Sequence, residues 1–434
     1  MAIPESDPRA QSQRALAEAR TVPALAPLPT AGAPVVPDAE PGGEAPPEAG
    51  GPASPGRLVD RFSRWLRYEQ EGRRDLRLDL LRGFCAFAMV VDHLGGASYL
   101  YPVTGGNQFF VSAAEGFIFL SGLLVGLIYG PRVRRDGLAA VQGHLLRRAF
   151  VLYAVTIGLT FAFVGLSRLA DMPWLQDVDP LTPELAVSIL TLHRTYYLVD
   201  VMLLYTLLLV VSPLALLLLT TGRTWVVLLF SGGLWLLFQW FPVAAQVPWT
   251  IVNNDTFRVS AWQVWFFGGM VIGYHRSRIW RILGRVPPLL AILVLAALAA
   301  LLVQLRLSDG ALLAGVLGAP DGPAALEALF GKESARVGRL LAFAVFFPLL
   351  YLTLTRLWGP VQGLTGWLLI PFGQNALYVY AMHLFAVYLA ALILPFVPAF
   401  DRLDAAHNTA LQVAMVLLIW ALVKREVLFD VLPR

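Results

Sequence analysis

Ten apolar stretches alternate with short polar segments along this chain, at 79–100, 107–130, 146–167, 195–219, 224–241, 259–275, 287–306, 339–357, 368–395 and 408–424. About 20 apolar residues in helical conformation cross the hydrocarbon of a bilayer. The pattern therefore predicts an all-α, polytopic integral membrane bundle of about ten transmembrane helices, with the lipid bilayer as its solvent. The ninth stretch is longer than one crossing needs, and Pro371 and Gly373 near its start predict a break there. Ahead of the first stretch, residues 1–56 are dense in Pro, Ala, Gly and Glu and read as a disordered tail. No apolar run in that tail is long enough for a signal peptide. Between tail and bundle, 57–77 reads as a basic amphipathic helix: Leu58, Phe62, Trp65 and Leu66 share one face, and Arg57, Arg61, Arg64 and Arg67 lie around the rest. Such a helix beside a span suits an anionic membrane surface. Residues 78–434 form the ten-helix membrane domain.

Composition sharpens this picture. Of 434 residues, 57% are hydrophobic and only 14% charged, and the mean hydropathy is +0.65. Those values exclude an ordinary soluble globular protein. One cysteine, Cys85, excludes an internal disulfide. The 33 Lys and Arg barely outnumber the 29 Asp and Glu, so their placement matters more than their sum. Arg73, Arg74 and Arg77 precede the first span, Arg132, Arg134, Arg135, Arg147 and Arg148 follow the second, Arg276, Arg278, Arg281 and Arg285 follow the sixth, and Lys424, Arg425 and Arg434 follow the tenth. The alternate loops are neutral or acidic, as in "YPVTGGN" and "DMPWLQDVDPLTPE". Basic loops face the cytoplasm, so both termini are expected there.

Against this apolar background the ionisable residues stand out, because each is costly in hydrocarbon. The first span carries Arg82, Asp92 and His93 in "LDLLRGFCAFAMVVDHLGG". Eleven helical steps are close to three full turns, so Arg82 and His93 share one face, roughly 16 Å apart along the axis. That puts Arg82 near the inner surface and His93 past the midplane. Asp92 points elsewhere, because helix neighbours are about 100° apart; it is retained beside His93 among the catalytic candidates. Glu115, in the second span, is expected at the depth of His93 across a short 101–106 loop. A carboxylate there would orient the imidazole and raise its basicity, as a general base requires. Gly122, Gly126 and Gly130 form a small-residue stripe for close helix packing. Further polar candidates gather toward the far side: Arg194 and Asp200 around the fourth span, Arg258 and Gln263 around the sixth. Asn375 and His383 in the ninth complete a polar path through the bundle. A snorkelling anchor for Arg82 and a satisfied core residue for His93 are the structural alternatives.

The segments "RLDLLRGFCAFAMVVDHLGG", "EGFIFLSGLLVG", "YYLVDVMLLYTLLLVVSP" and "SAWQVWFFGGMVIG" resemble, in order, those of the OpgC family, membrane proteins associated with succinylation of osmoregulated periplasmic glucans. That family looks like a branch of a wider membrane acyltransferase superfamily whose first span carries a basic residue, ten residues and a histidine. The resemblance covers roughly 75–430, matching only loosely at His383, and implies an enzyme of the bacterial inner membrane. The implied reaction moves an acyl group, succinyl for this family, from a cytoplasmic acyl-CoA to a hydroxyl of a periplasmic glycan. In it Arg82 stands at the donor's entry, where a guanidinium suits phosphate, and Arg194, Asp200, Arg258, Gln263, Asn375 and His383 are candidate substrate contacts. His93 either deprotonates the acceptor or carries the acyl group. The acyl-CoA is a co-substrate, and no permanently bound cofactor, metal or nucleic acid is expected. The rival class is a proton-coupled transporter or flippase, since intramembrane charges and broken helices mark those as well.

Overall fold

The computed structural model describes residues 66–69, 74–170, 182–196, 198–393, 404–429 and 432. The expected tail at 1–56 lies outside the described residues, as does most of the expected interfacial helix at 57–77. Among the described residues the structure is helical, with one isolated bridge between Arg194 and Val252. The long helices are α1 (Leu76–His93), α3 (Ala113–Asp136), α4 (Leu138–Leu169), α6 (Asp200–Thr220), α7 (Thr224–Trp240), α8 (Val259–Tyr274), α10 (Pro288–Leu307), α13 (Val337–Arg356), α14 (Trp358–Gln374), α15 (Ala376–Ile393) and α16 (Ala405–Lys424). Shorter helices α2 (Tyr101–Thr104), α5 (Pro183–Leu190), α9 (Arg276–Leu283), α11 (Ala311–Leu317) and α12 (Gly322–Phe330) lie in the connections. Among the described residues, seven helices, α3, α4, α6, α10, α13, α15 and α16, are long and apolar enough to cross a membrane by length and composition.

Local chemistry sets the ends of these helices. Asp75 caps α1 by accepting the Arg77 amide at 3.2 Å. The helix stops at His93 because Gly95 and Gly96 follow with positive φ of 69° and 73°, which a right-handed helix does not accommodate. The first connection therefore runs from 94 to 112 rather than the short loop expected at 101–106, and His93 is the last residue of its helix. The predicted break in the ninth span falls at Asn375, between α14 and α15, where the Asn375 amide donates to the Pro371 carbonyl at 3.0 Å. Asp200, expected inside the fourth span, is the first residue of α6.

Two glycine-lined contacts organise the bundle. The stripe Gly122, Gly126 and Gly130 on α3 faces α8: a Cβ at Gly122 or Gly126 would overlap the Phe266 or Met270 carbonyl. Gly269 and Gly273 answer from α8, against the Phe119 and Leu123 carbonyls. Backbone-to-backbone packing of this kind gains dispersion contacts where lipid supplies no hydrophobic drive. The second contact joins α1 to α14, with Gly83 against the Leu369 carbonyl and Gly373 against that of Asp79. Around this pair, α1 also packs on α3, α15 and α16. The N-terminal end of α1 is tied by charge. Asp75 binds Arg77 at 2.9 Å and Arg276 at 2.7 Å, while Arg77 lies between the rings of Tyr68 and Tyr351 and donates to Thr355. Burial alone would raise the Asp75 carboxyl, but Arg77 and then Arg276 hold it below its ordinary pKa.

Candidate functional site

Three helices meet at the end of α1. His93 closes α1, and its Nδ1 lies 2.9 Å from Nε2 of His383, the eighth residue of α15. The two rings are 5.1 Å apart and tilted by 31°. His383 is fully buried, and its Nδ1 is hydrogen-bonded to the carbonyl of Tyr380, one turn back on the same helix. Tyr380 stacks edge-on to His383, and its hydroxyl donates to the Leu198 carbonyl just before α6. Phe117 of α3 packs on the Tyr380 ring. His93 itself is half-buried at the end of α1.

Glu115 does not take up the expected contact with His93. It is buried in the first turn of α3, where it accepts the Ser112 amide at 2.9 Å and completes a capping box with the Ser112 hydroxyl. Its other oxygen accepts both Nε, at 2.7 Å, and the terminal nitrogen of Arg339 from the start of α13. Arg339 is 4% exposed and Glu115 is 0% exposed, so this is a desolvated ion pair. The reason is competition: a guanidinium offers a carboxylate charge and a forked donor set, whereas a neutral imidazole offers one donor. Arg339 is legible in the sequence only as one more basic residue, three after Arg336, at the entrance of an apolar span.

Asp92 points away from the imidazole, as its position on the helix requires, and accepts the Thr104 hydroxyl at 2.6 Å. Three residues beyond Thr104, Asn107 takes the ammonium of Lys332, which also lies 5.6 Å over the Phe257 ring. Lys332 escaped the sequence reading because it sits in a loop. It is close enough to Asp92, Asp200 and Glu115 to interact electrostatically, and burial lowers its pKa, with Glu115 opposing. The loop that carries it is clamped by α7: Trp235 donates to the Ala335 carbonyl at 2.9 Å and Gln239 to that of Ser334 at 2.8 Å.

The other candidates lie elsewhere or are already engaged. Arg82 is half-buried on α1 beside Tyr205 and Arg148, and its buried Nε has no hydrogen-bond partner among the described residues. Gln263 spends its amide on Ser231, at 2.6 Å and 2.8 Å, and so fastens α8 to α7. Asp200 accepts the Val201 amide at 2.9 Å at the start of α6. Asn375 satisfies the α14–α15 break. Arg194 lies in the bridge to Val252. Arg258 pairs with Asp255 at 3.4 Å and lines a cavity of about 70 Å³ with Trp249, Asn254 and Ser260. His93 and His383 are not among that cavity's lining residues.

A family model described as OpgC protein matches residues 74–428. The chain belongs to the OpgC family. The match covers α1 through α16, so Arg82, His93 and His383 all lie within the family domain. Membership points to a membrane acyltransferase-like role. No curated protein matches the chain.

Proposed function

We propose that this OpgC-family protein is an O-acyltransferase of the bacterial inner membrane that moves an acyl group, succinyl in the first instance, from acyl-CoA to a hydroxyl of a periplasmic glucan or related envelope glycan. Ten crossings with both termini cytoplasmic belong to this reading. The observation that carries it is the His93–His383 pair at one end of α1, on the same helix as Arg82 eleven residues earlier. About 16 Å along the axis separates the two. That span suits a donor whose phosphates stay near the cytoplasm and whose pantetheine arm reaches inward. The unpartnered Nε of Arg82, with Arg148 beside it, supports an anion contact there.

In this reading the acceptor hydroxyl meets the thioester at His93. The imidazole takes the hydroxyl proton as the oxygen attacks the thioester carbonyl, a C–O bond forms, the C–S bond breaks, and CoA leaves as thiolate. The Lys332 ammonium, held by Asn107, is near enough to His93 to act on it electrostatically, and through it a developing oxyanion or an anionic substrate group gains stabilisation. Mass spectrometry of envelope glycans from cells expressing the wild type or His93→Ala tests the reading. Acylated glycan from the wild type, and none from an equally abundant variant, is the expected result. Unchanged acylation in the variant refutes the assignment of His93. Glycan uptake into vesicles without acyl donor refutes the enzyme reading in favour of a carrier.

A further inference from the structure

We infer that His383 is a positioning residue that fixes the tautomer of His93, leaving Nε2 of His93 as the reactive nitrogen. This deepens the acyltransferase reading and rests on it for its role in turnover, but not for the proton order itself. A carbonyl oxygen only accepts hydrogen bonds, so the contact between His383 Nδ1 and the Tyr380 carbonyl requires the proton on Nδ1. In a neutral imidazole the other nitrogen, Nε2, is then a bare lone pair. That lone pair lies 2.9 Å from His93 Nδ1, so His93 must hold its own proton on Nδ1 and donate it. Nε2 of His93 is thereby the unprotonated atom, whether it acts as a base or attacks the acyl carbon itself. The reverse order would set the His383 Nδ1 lone pair against the carbonyl oxygen, two acceptors face to face in a fully buried position.

The arrangement performs with neutral groups what a carboxylate performs in the serine-protease triad, where an acid orients the histidine. Here the backbone of α15 does so through a second ring, because the only carboxylate in the second span, Glu115, is held by Arg339. When His93 Nε2 takes a proton, its Nδ1–H goes on donating to the His383 Nε2 lone pair, so the imidazolium forms against a neutral acceptor whose own Nδ1–H still donates to Tyr380. No proton is lost and no further co-reactant is needed.

Two measurements test this. In the wild-type protein in lipid nanodiscs, with histidine ring nitrogens labelled, solid-state NMR reads the proton on each nitrogen. The six histidines are assigned by difference from His383→Gln and His93→Ala. Expected are Nδ1-protonated, Nε2-bare rings for both His93 and His383; an Nε2-protonated His383 overturns the inference whatever the protein catalyses. In turnover, His383→Leu removes the acceptor and should lower kcat on the order of 10²- to 10⁴-fold with donor KM little changed. His383→Gln places an amide oxygen where Nε2 stood and should restore most of the rate. Equal activity of the Leu variant and wild type, or equal loss in both variants at normal abundance, overturns the positioning role. A wild type that transfers no acyl group refutes the proposed function, while the NMR result still decides the proton order.

Discussion

Replacing Glu115 by Gln preserves the shape of the side chain and its ability to accept the Ser112 amide, but it removes the charge that faces Arg339. The guanidinium then stays 4% exposed at the start of α13 with no counter-ion on its Nε. Two unit charges about 4 Å apart attract by about 4 kcal/mol at an effective dielectric near 20. Breaking one side of a buried pair typically costs about 3–5 kcal/mol, because the remaining charge loses both water and partner. At about 1.4 kcal/mol per tenfold, Glu115→Gln should shift the folded-to-unfolded ratio by roughly two to three and a half orders of magnitude. Titration with SDS in mixed micelles, followed by tryptophan fluorescence, measures that shift. The double variant Glu115→Gln with Arg339→Met should regain much of the loss, since no unpaired charge remains. A Glu115→Gln protein as stable as wild type, yet inactive, would refute this and return the carboxylate to the chemistry at His93.

The remaining predictions concern helix packing and the N-terminal end of α1. Gly126→Leu drives a side chain into the Met270 carbonyl and should destabilise the bundle by at least about 1–3 kcal/mol. Gly158→Ala, on an exposed and open face of α4, should be neutral or slightly stabilising, and thermal unfolding in detergent separates the two. Because Arg77 and Arg276 hold the Asp75 pKa below its unfolded value near 3.9, the carboxylate contributes stability above about pH 4 that is lost as pH falls through the folded value. Asp75→Asn should therefore lower stability at neutral pH and flatten its fall below about pH 4; a variant and wild type that lose stability in parallel there would count against the assignment.

Hydropathy and charge placement made the helical, membrane-embedded class legible, because both are sums over local sequence that do not depend on which helix touches which. The Arg82–His93 spacing is likewise local: eleven steps on one helix fix a common face wherever that helix goes. The break near Pro371 was also local, and fell at Asn375. What failed were statements about partners. The Gly122, Gly126 and Gly130 stripe announced a close approach without saying that α8 makes it. Glu115 was expected beside His93 on the strength of an adjacent helix and a short loop. Gly95 and Gly96 ended α1 seven residues earlier than hydropathy suggested, and Arg339, some 220 residues away in the chain, took the carboxylate. His93 instead met His383, 290 residues along the chain, and the proton on each ring follows from a backbone carbonyl on α15. Hydrophobic periodicity states how each helix relates to lipid, but a hydrogen bond in a low-dielectric interior is decided by which donors and acceptors the packing brings within 3 Å, and only the tertiary structure supplies that.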